Sequence, residues 1–147
     1  MTIEEMNLEP IAKNAATILQ GKHPTIEFTS GRRDIFQQAH AMARNVVKRR
    51  DWIGRTYIAG AKLQAWVDQH PEAKTVDEIT AGLEEVMKSM PEAELVKISR
   101  HLTGRAFDVR PVTANAETIK ADIRSLPGLH KFLEQEGGLV RWHAQFQ

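Results

Sequence analysis

The stretch that decides the fold is Ser99-Arg100-His101-Leu102-Thr103-Gly104-Arg105-Ala106-Phe107-Asp108, which Trp142-His143 complements near the C-terminus. Two imidazoles and one carboxylate, from His101, His143 and Asp108, are a typical zinc ligand set that leaves one coordination position open. In a helix, His101 and Asp108 would lie about 10 Å apart, too far for metal bonds of about 2 Å. In an unbroken strand their odd offset would point them to opposite faces. Gly104 allows a turn, so the sequence predicts a strand end, a tight loop and a strand start with both side chains converging.

The composition is that of an ordinary globular protein. The chain has 147 residues, of which 41% are hydrophobic and 27% are charged, enough for one domain with a buried core. A net charge of +1 gives no strong field that would attract nucleic acid or a membrane surface. The absence of cysteine excludes disulfides, thiolate metal sites and a cysteine nucleophile. Any metal site must therefore use histidines and carboxylates.

The first residues of the sequence do not resemble a secretory signal. Met1-Thr2-Ile3-Glu4-Glu5 is acidic and lacks the basic start and apolar run of a secretory signal peptide. No apolar stretch approaches the roughly 20 residues of a membrane span. We therefore expect a protein made in the cytoplasm without a signal peptide and without a membrane span.

Apolar periodicity and breaker residues predict helices in the first two thirds of the chain and strands around the candidate site. The predicted helices cover residues 4–20, 33–50, 52–70, 75–90, 116–126 and 129–135, and the predicted strands cover residues 25–29, 95–99, 106–112 and 139–146. Thr75 and Glu78 form a capping box. The expected fold class is α+β, a small antiparallel sheet that carries the zinc site under an extended helical segment. We expect a single domain over residues 1–147, helical to about residue 92.

Residues 99–108 match the Ser-x-His-x-x-Gly-x-Ala-x-Asp signature of the LAS-type zinc peptidases. These are D-Ala-D-Ala carboxypeptidases and dipeptidases and phage L-Ala-D-Glu endolysins, with a hedgehog-like fold. Trp142-His143 resembles the Trp-His of that family. Thr29-Ser30-Gly31-Arg32-Arg33, followed by Gln37 or Gln38, resembles its Ser-Gly-Tyr-Arg…Gln element. The three elements occur in family order.

The resemblance implies roles for individual residues. His101, Asp108 and His143 would hold Zn²⁺. Arg33 would bind a substrate carboxylate or carbonyl and stabilise an oxyanion, with Arg32 as the alternative if the register slips by one. Ser99 would face the substrate. Trp142 is a further candidate for substrate contact, although a large ring beside a ligand more often packs in the core.

One position departs from the family pattern. The resemblance implies a general-base Glu three residues before the last ligand, where this chain has Val140. Gly137-Gly138 could fold the backbone back and bring Glu136, or else Glu134, to the metal-bound water. His130 is a further candidate proton carrier.

The expected activity is that of a zinc-dependent peptidase that cleaves peptidoglycan stem peptides, as a phage or prophage endolysin does. Such a protein would reach the wall by export, by release through a holin or in a virion. The alternative is a non-catalytic binding module for cell wall or protein, which Val140 favours. A third interpretation is nucleic-acid binding through a cationic run with two aromatic residues: Arg44, Lys48, Arg49, Arg50 and Arg55, with Trp52 and Tyr57. A solvated helix surface, or a surface attracted to the anionic cell wall, explains these residues better.

Overall fold

A four-stranded antiparallel sheet and seven α-helices make up the chain, in a computed structural model that describes residues 1–147. This confirms the predicted α+β class. The helices are α1 (Pro10–Lys22), α2 (Ile35–Val46), α3 (Trp52–Thr56), α4 (Ala61–Gln69), α5 (Val76–Lys88), α6 (Glu92–Ile98) and α7 (Ala116–Arg124). The strands are β1 (Phe28–Ser30), β2 (Ala106–Val109), β3 (Leu129–Glu136) and β4 (Leu139–Phe146), and a 3-10 helix covers Arg100–Thr103.

The chain divides into two compact units. The sheet unit comprises Met1–Arg32 with Thr103–Gln147, and the helical unit comprises Arg33–Leu102. The prediction of a single peptidase domain over residues 1–147 stays a prediction. None of the helices is long and apolar enough to cross a membrane.

The sheet unit is built on the strand order β1-β2-β4-β3, with every neighbouring pair antiparallel. Asp108 on β2 is paired with Ser30 of β1 on one side and with His143 of β4 on the other. Register fixes which side chains share a face, so this pairing places Asp108 and His143 directly across from each other.

Aromatic rings fill the core of the sheet unit. Phe107 and Phe146 are fully buried, and Phe28 is 2% exposed. Phe107 makes an edge-to-face contact with Phe28, and its centroid lies 5.3 Å from that of Phe146. Removing one such ring typically costs about 3–5 kcal/mol, so this cluster stabilises the packing of β1, β2 and β4.

Two helix caps and one close helix–helix contact stabilise the helical unit. The predicted capping box of Thr75 and Glu78 is confirmed at the start of α5, and Asp34 and Gln37 form another at the start of α2. Gly82 of α5 lies against the Trp66 ring of α4, where a Cβ would come within 1.9 Å of the ring. The predicted helix over residues 52–70 is interrupted, since α3 ends at Thr56 and α4 begins at Ala61.

Two predicted elements are of the wrong type. The segment predicted as a strand over residues 95–99 is the end of α6 and its C-cap Ser99. This helix follows Pro91 and has acidic residues in its first turn and a lysine in its last. Those charges complement the helix dipole. The segment predicted as a helix over residues 129–135 is strand β3, because a two-residue turn pairs it with β4. Both turn residues, Gly137 and Gly138, have positive φ, as a type I′ hairpin turn requires.

Candidate metal centre

Asp108 is held at the centre of the sheet by its neighbour on β1. The Ser30 hydroxyl donates a hydrogen bond of 2.5 Å to Asp108 Oδ2. The Asp108 side chain is 13% exposed. Because Oδ2 is occupied by Ser30, the carboxylate orientation is fixed and Oδ1 faces β4.

His143 lies opposite Asp108 and uses both ring nitrogens. Its Nδ1 is 2.8 Å from Asp108 Oδ1, and its Nε2 is 2.9 Å from Gln145 Oε1. The residue is 6% exposed. The imidazole therefore has one orientation, with Nδ1 directed at carboxylate oxygen and Nε2 directed along its own strand.

The surroundings of His143 favour a proton on the metal-free ring. Burial lowers its pKa, but the hydrogen bond and charge of Asp108, together with the charge of Glu136 and the hydrogen bond to Gln145, outweigh that effect and raise the pKa to about 9. Two carboxylates facing one imidazole create a site that attracts positive charge. A proton or a metal cation can supply that charge.

Glu136 is the second carboxylate beside His143. It is the last residue of β3, immediately before the Gly137-Gly138 turn, and its Oε1 lies 3.7 Å from His143 Nδ1. Its side chain is 15% exposed. The tight turn thus brings one of the two acidic residues that precede it to the imidazole.

Glu134 is engaged elsewhere. Its carboxylate binds Lys120 at 2.7 Å and also pairs with Arg124 of the same helix, α7. The hydrogen bond from Lys120 lowers the pKa of Glu134. The register of the β3–β4 pairing shifts between Leu133 and Gln135, so Glu134 does not follow a regular alternation with Glu136.

His101 lies on the 3-10 helix Arg100–Thr103 and is 3% exposed. This 3-10 helix lies within the predicted loop, whereas the strand predicted before that loop is helix α6. Ser99 Oγ accepts a hydrogen bond of 3.2 Å from the His101 N–H, and the His101 carbonyl accepts one of 2.9 Å from the Arg33 N–H. Gly104 follows with φ of +76°, the backbone turn that the sequence predicts between the two candidate ligands.

The three predicted ligands form a group that could hold a metal ion. One ligand atom from each of His101, Asp108 and His143 lies within 4.8 Å of the others. Tetrahedral zinc with bonds of about 2.1 Å separates its ligand atoms by about 3.4 Å, a distance comparable with the separations in this set. Two imidazoles and a carboxylate are also the donor types that zinc accepts. The residues present therefore fit the ion.

The predicted arginines differ in their surroundings. Arg33 Nη1 lies 3.5 Å from Oε1 of the fully buried Gln38, whose amide lies 3.4 Å from the Tyr57 hydroxyl. Arg32 instead donates to the Asn7 carbonyl at 2.8 Å and to Glu9 at 2.7 Å. Arg32 therefore binds the N-terminal segment, and the substrate role of Arg33, with Arg32 as its alternative, stays a prediction.

Three further predicted residues lie at different depths. Trp142 is 4% exposed within the core of the sheet unit, with the Lys120 ammonium 5.8 Å from its ring centroid. His130 is exposed on β3. Val140, at the position of the family's base, is 55% exposed. A substrate contact by Trp142 and a proton-carrying role of His130 stay predictions.

Sequence reasoning missed the residues that orient the candidate ligands, Ser30 and Gln145. Gln145 follows His143 by two positions on a strand, a spacing that puts both side chains on one face. The contact of Ser30 depends on cross-strand register, which local patterns do not determine.

Comparisons with known proteins identify no relative. No protein-family model, curated protein or solved structure matches this chain.

Proposed function

We propose that the chain is a zinc-dependent peptidase that cleaves the stem peptides of peptidoglycan. The observation that carries the proposal is the buried group of His101, Asp108 and His143, with the Glu136 carboxylate beside it. The substrate class, peptidoglycan stem peptides, is inferred from sequence elements that resemble those of LAS-type peptidases in order and spacing.

His101, Asp108 and His143 would hold the zinc ion. When bound, zinc acidifies a water molecule, polarises the scissile carbonyl and stabilises the negative charge that develops on its oxygen. Asp108 Oδ2 already accepts a hydrogen bond from Ser30, and His143 Nε2 already contacts Gln145 Oε1. These two contacts would keep both side chains oriented while the ion replaces the direct 2.8 Å contact between His143 Nδ1 and Asp108 Oδ1.

Glu136 would act as the general base in place of the family's glutamate. Its Oε1 is 3.7 Å from His143 Nδ1, so a water molecule held near that nitrogen would be within hydrogen-bond reach of the carboxylate. Glu136 would accept a proton from the attacking water and return it to the leaving amine. Its low exposure limits competition from bulk solvent.

The residues that surround the His101 backbone would bind the substrate. Arg33 would bind a substrate carboxylate or the developing oxyanion with its planar guanidinium. Ser99 would contact the peptide backbone of the D-residue. Both already bond to the main chain of His101, so their positions depend on the same 3-10 helix.

Glu136→Gln tests the base, and Glu134→Gln is its matched control on the same strand. Zinc-loaded variants are incubated with purified peptidoglycan, and the released fragments are quantified by mass spectrometry. Glu136→Gln should reduce the cleavage rate by about 100-fold or more, whereas Glu134→Gln should retain it, because general-base catalysis contributes about 10²–10⁴-fold. Cleavage by Glu136→Gln at the wild-type rate would contradict the assignment of the base.

The second candidate is a non-catalytic binding module for cell wall or a protein. This candidate is favoured by Val140, which occupies the position of the family's base and cannot transfer a proton. Wall binding without cleavage by zinc-loaded, folded protein would support this candidate. In either case the protein would reach the wall by export, through a holin-dependent release or in a virion.

A further inference from the structure

Gln145 contacts the candidate metal centre without being a candidate ligand. Its Oε1 lies 2.9 Å from His143 Nε2, while the opposite nitrogen faces Asp108 and Glu136. Gln145 lies on β4 two residues after His143, so the rigid strand fixes the spacing between them. The contact joins the amide of one residue to the imidazole of the other at a normal hydrogen-bond length.

The nature of this contact determines which nitrogen of His143 can bind a cation. A neutral imidazole carries its proton on one nitrogen and has a lone pair on the other. An amide oxygen can only accept, so its partner Nε2 must carry the hydrogen. In the neutral ring that binds a metal, the lone pair is therefore on Nδ1, the nitrogen that lies 2.8 Å from Asp108 Oδ1 in the metal-free protein.

We infer that Gln145 is a positioning residue that holds His143 in the tautomer whose Nδ1 lone pair binds the metal. This inference rests on the proposed zinc site and assigns its second layer of contacts. Ser30 does the corresponding work for Asp108, since its hydroxyl binds Oδ2 and leaves Oδ1 facing β4. Each of these two ligands is thus oriented by a neutral side chain of the sheet unit.

Gln145→Ala removes the acceptor, and Gln145→Glu retains one. Loss of such an outer contact typically weakens metal affinity by about 10–100-fold, so Gln145→Ala should show that loss in a competition titration of zinc against a chromophoric chelator. Gln145→Glu should bind zinc at least as tightly as the wild type. Gln135→Ala, on the exposed face of neighbouring β3, is the matched control and should leave the affinity unchanged.

A spectroscopic measurement separates positioning from a general structural effect. In zinc-loaded protein with nitrogen-labelled histidine, nuclear magnetic resonance should show His143 with a protonated Nε2 and a metal-bound Nδ1. Gln145→Ala should lose this single form, and Gln145→Glu should restore it. If a folded Gln145→Ala protein kept the zinc affinity and the His143 tautomer of the wild type, the inference would be overturned while the zinc site stayed intact. Absence of zinc binding by the wild type would instead overturn the proposed function and this inference with it.

Discussion

Gly104 separates two candidate ligands, and replacing it with alanine should measurably destabilise the protein. Its φ of +76° lies in the left-handed region, where an L-residue costs roughly 1–2 kcal/mol. A Cβ there would also lie 2.6 Å from Arg32 Nη2 and 2.9 Å from Arg32 Nε. These nitrogens donate to Glu9 and to the Asn7 carbonyl, so the guanidinium would move only by weakening both bonds.

The backbone strain and the displaced Arg32 together determine how much unfolding free energy Gly104→Ala loses. Weakening a partly exposed ion pair costs about 0.2–1 kcal/mol, and the total for Gly104→Ala is therefore about 2 kcal/mol. For a chain of this size that corresponds to a fall of about 4–8 °C in the melting temperature. Urea and thermal unfolding followed by circular dichroism measure it.

Gly21 provides the matched control. It lies in α1, and a Cβ there would meet no atom within 4 Å. Gly21→Ala should raise stability by about 0.5 kcal/mol, because alanine favours the helix. In an Arg32→Ala background, Gly104→Ala should cost only the backbone share of about 1–2 kcal/mol. A Gly104→Ala protein as stable as the wild type would refute the requirement for a left-handed residue between the ligands.

Two further predictions concern protons near the candidate site. Zinc binding near neutral pH should release about one proton from His143, because the pKa of the metal-free ring is about 9 and a metal ligand must be deprotonated. Calorimetric titrations in buffers of different ionisation enthalpy measure the number of protons released. A binding enthalpy that does not depend on the buffer would contradict the account. The lowered pKa of Glu134 should contribute stability that is present above its unfolded pKa and lost as the pH falls through its lower folded pKa. Melting temperatures of Glu134→Gln and wild type should therefore converge in acid, and a constant difference at all pH values would contradict this.

The fold was predictable where one local signal was decisive. Thr75 and Glu78 marked the start of α5, and the alternation in residues 139–146 marked β4 with its correct bounds. The short apolar run at residues 95–99 fits a strand or a helix, and only the charges on α6 favour the helix. Leu129, Phe132 and Leu133 follow helical spacing, but pairing through the Gly137-Gly138 turn makes the segment a strand.

The candidate site was predictable in its residue types but not in its supporting contacts. The spacing around Gly104 and the final Trp142-His143 indicated three candidate ligands, and these form a group that could hold a metal ion. The glycine pair led to Glu136, and the structure places that carboxylate 3.7 Å from His143 Nδ1. The contacts of Ser30 and Gln145 depend on strand pairing and side-chain orientation, which require the folded chain.

The most direct test of the central claim is metal-dependent cleavage of purified peptidoglycan, with the fragments identified by mass spectrometry. Protein stripped with a chelator should release no stem-peptide fragments, and restoring zinc should recover cleavage of one defined bond. His143→Ala should stay inactive after zinc is restored. Equal cleavage by stripped and zinc-loaded protein, or no cleavage by folded zinc-loaded protein on walls of several chemical types, would contradict the account.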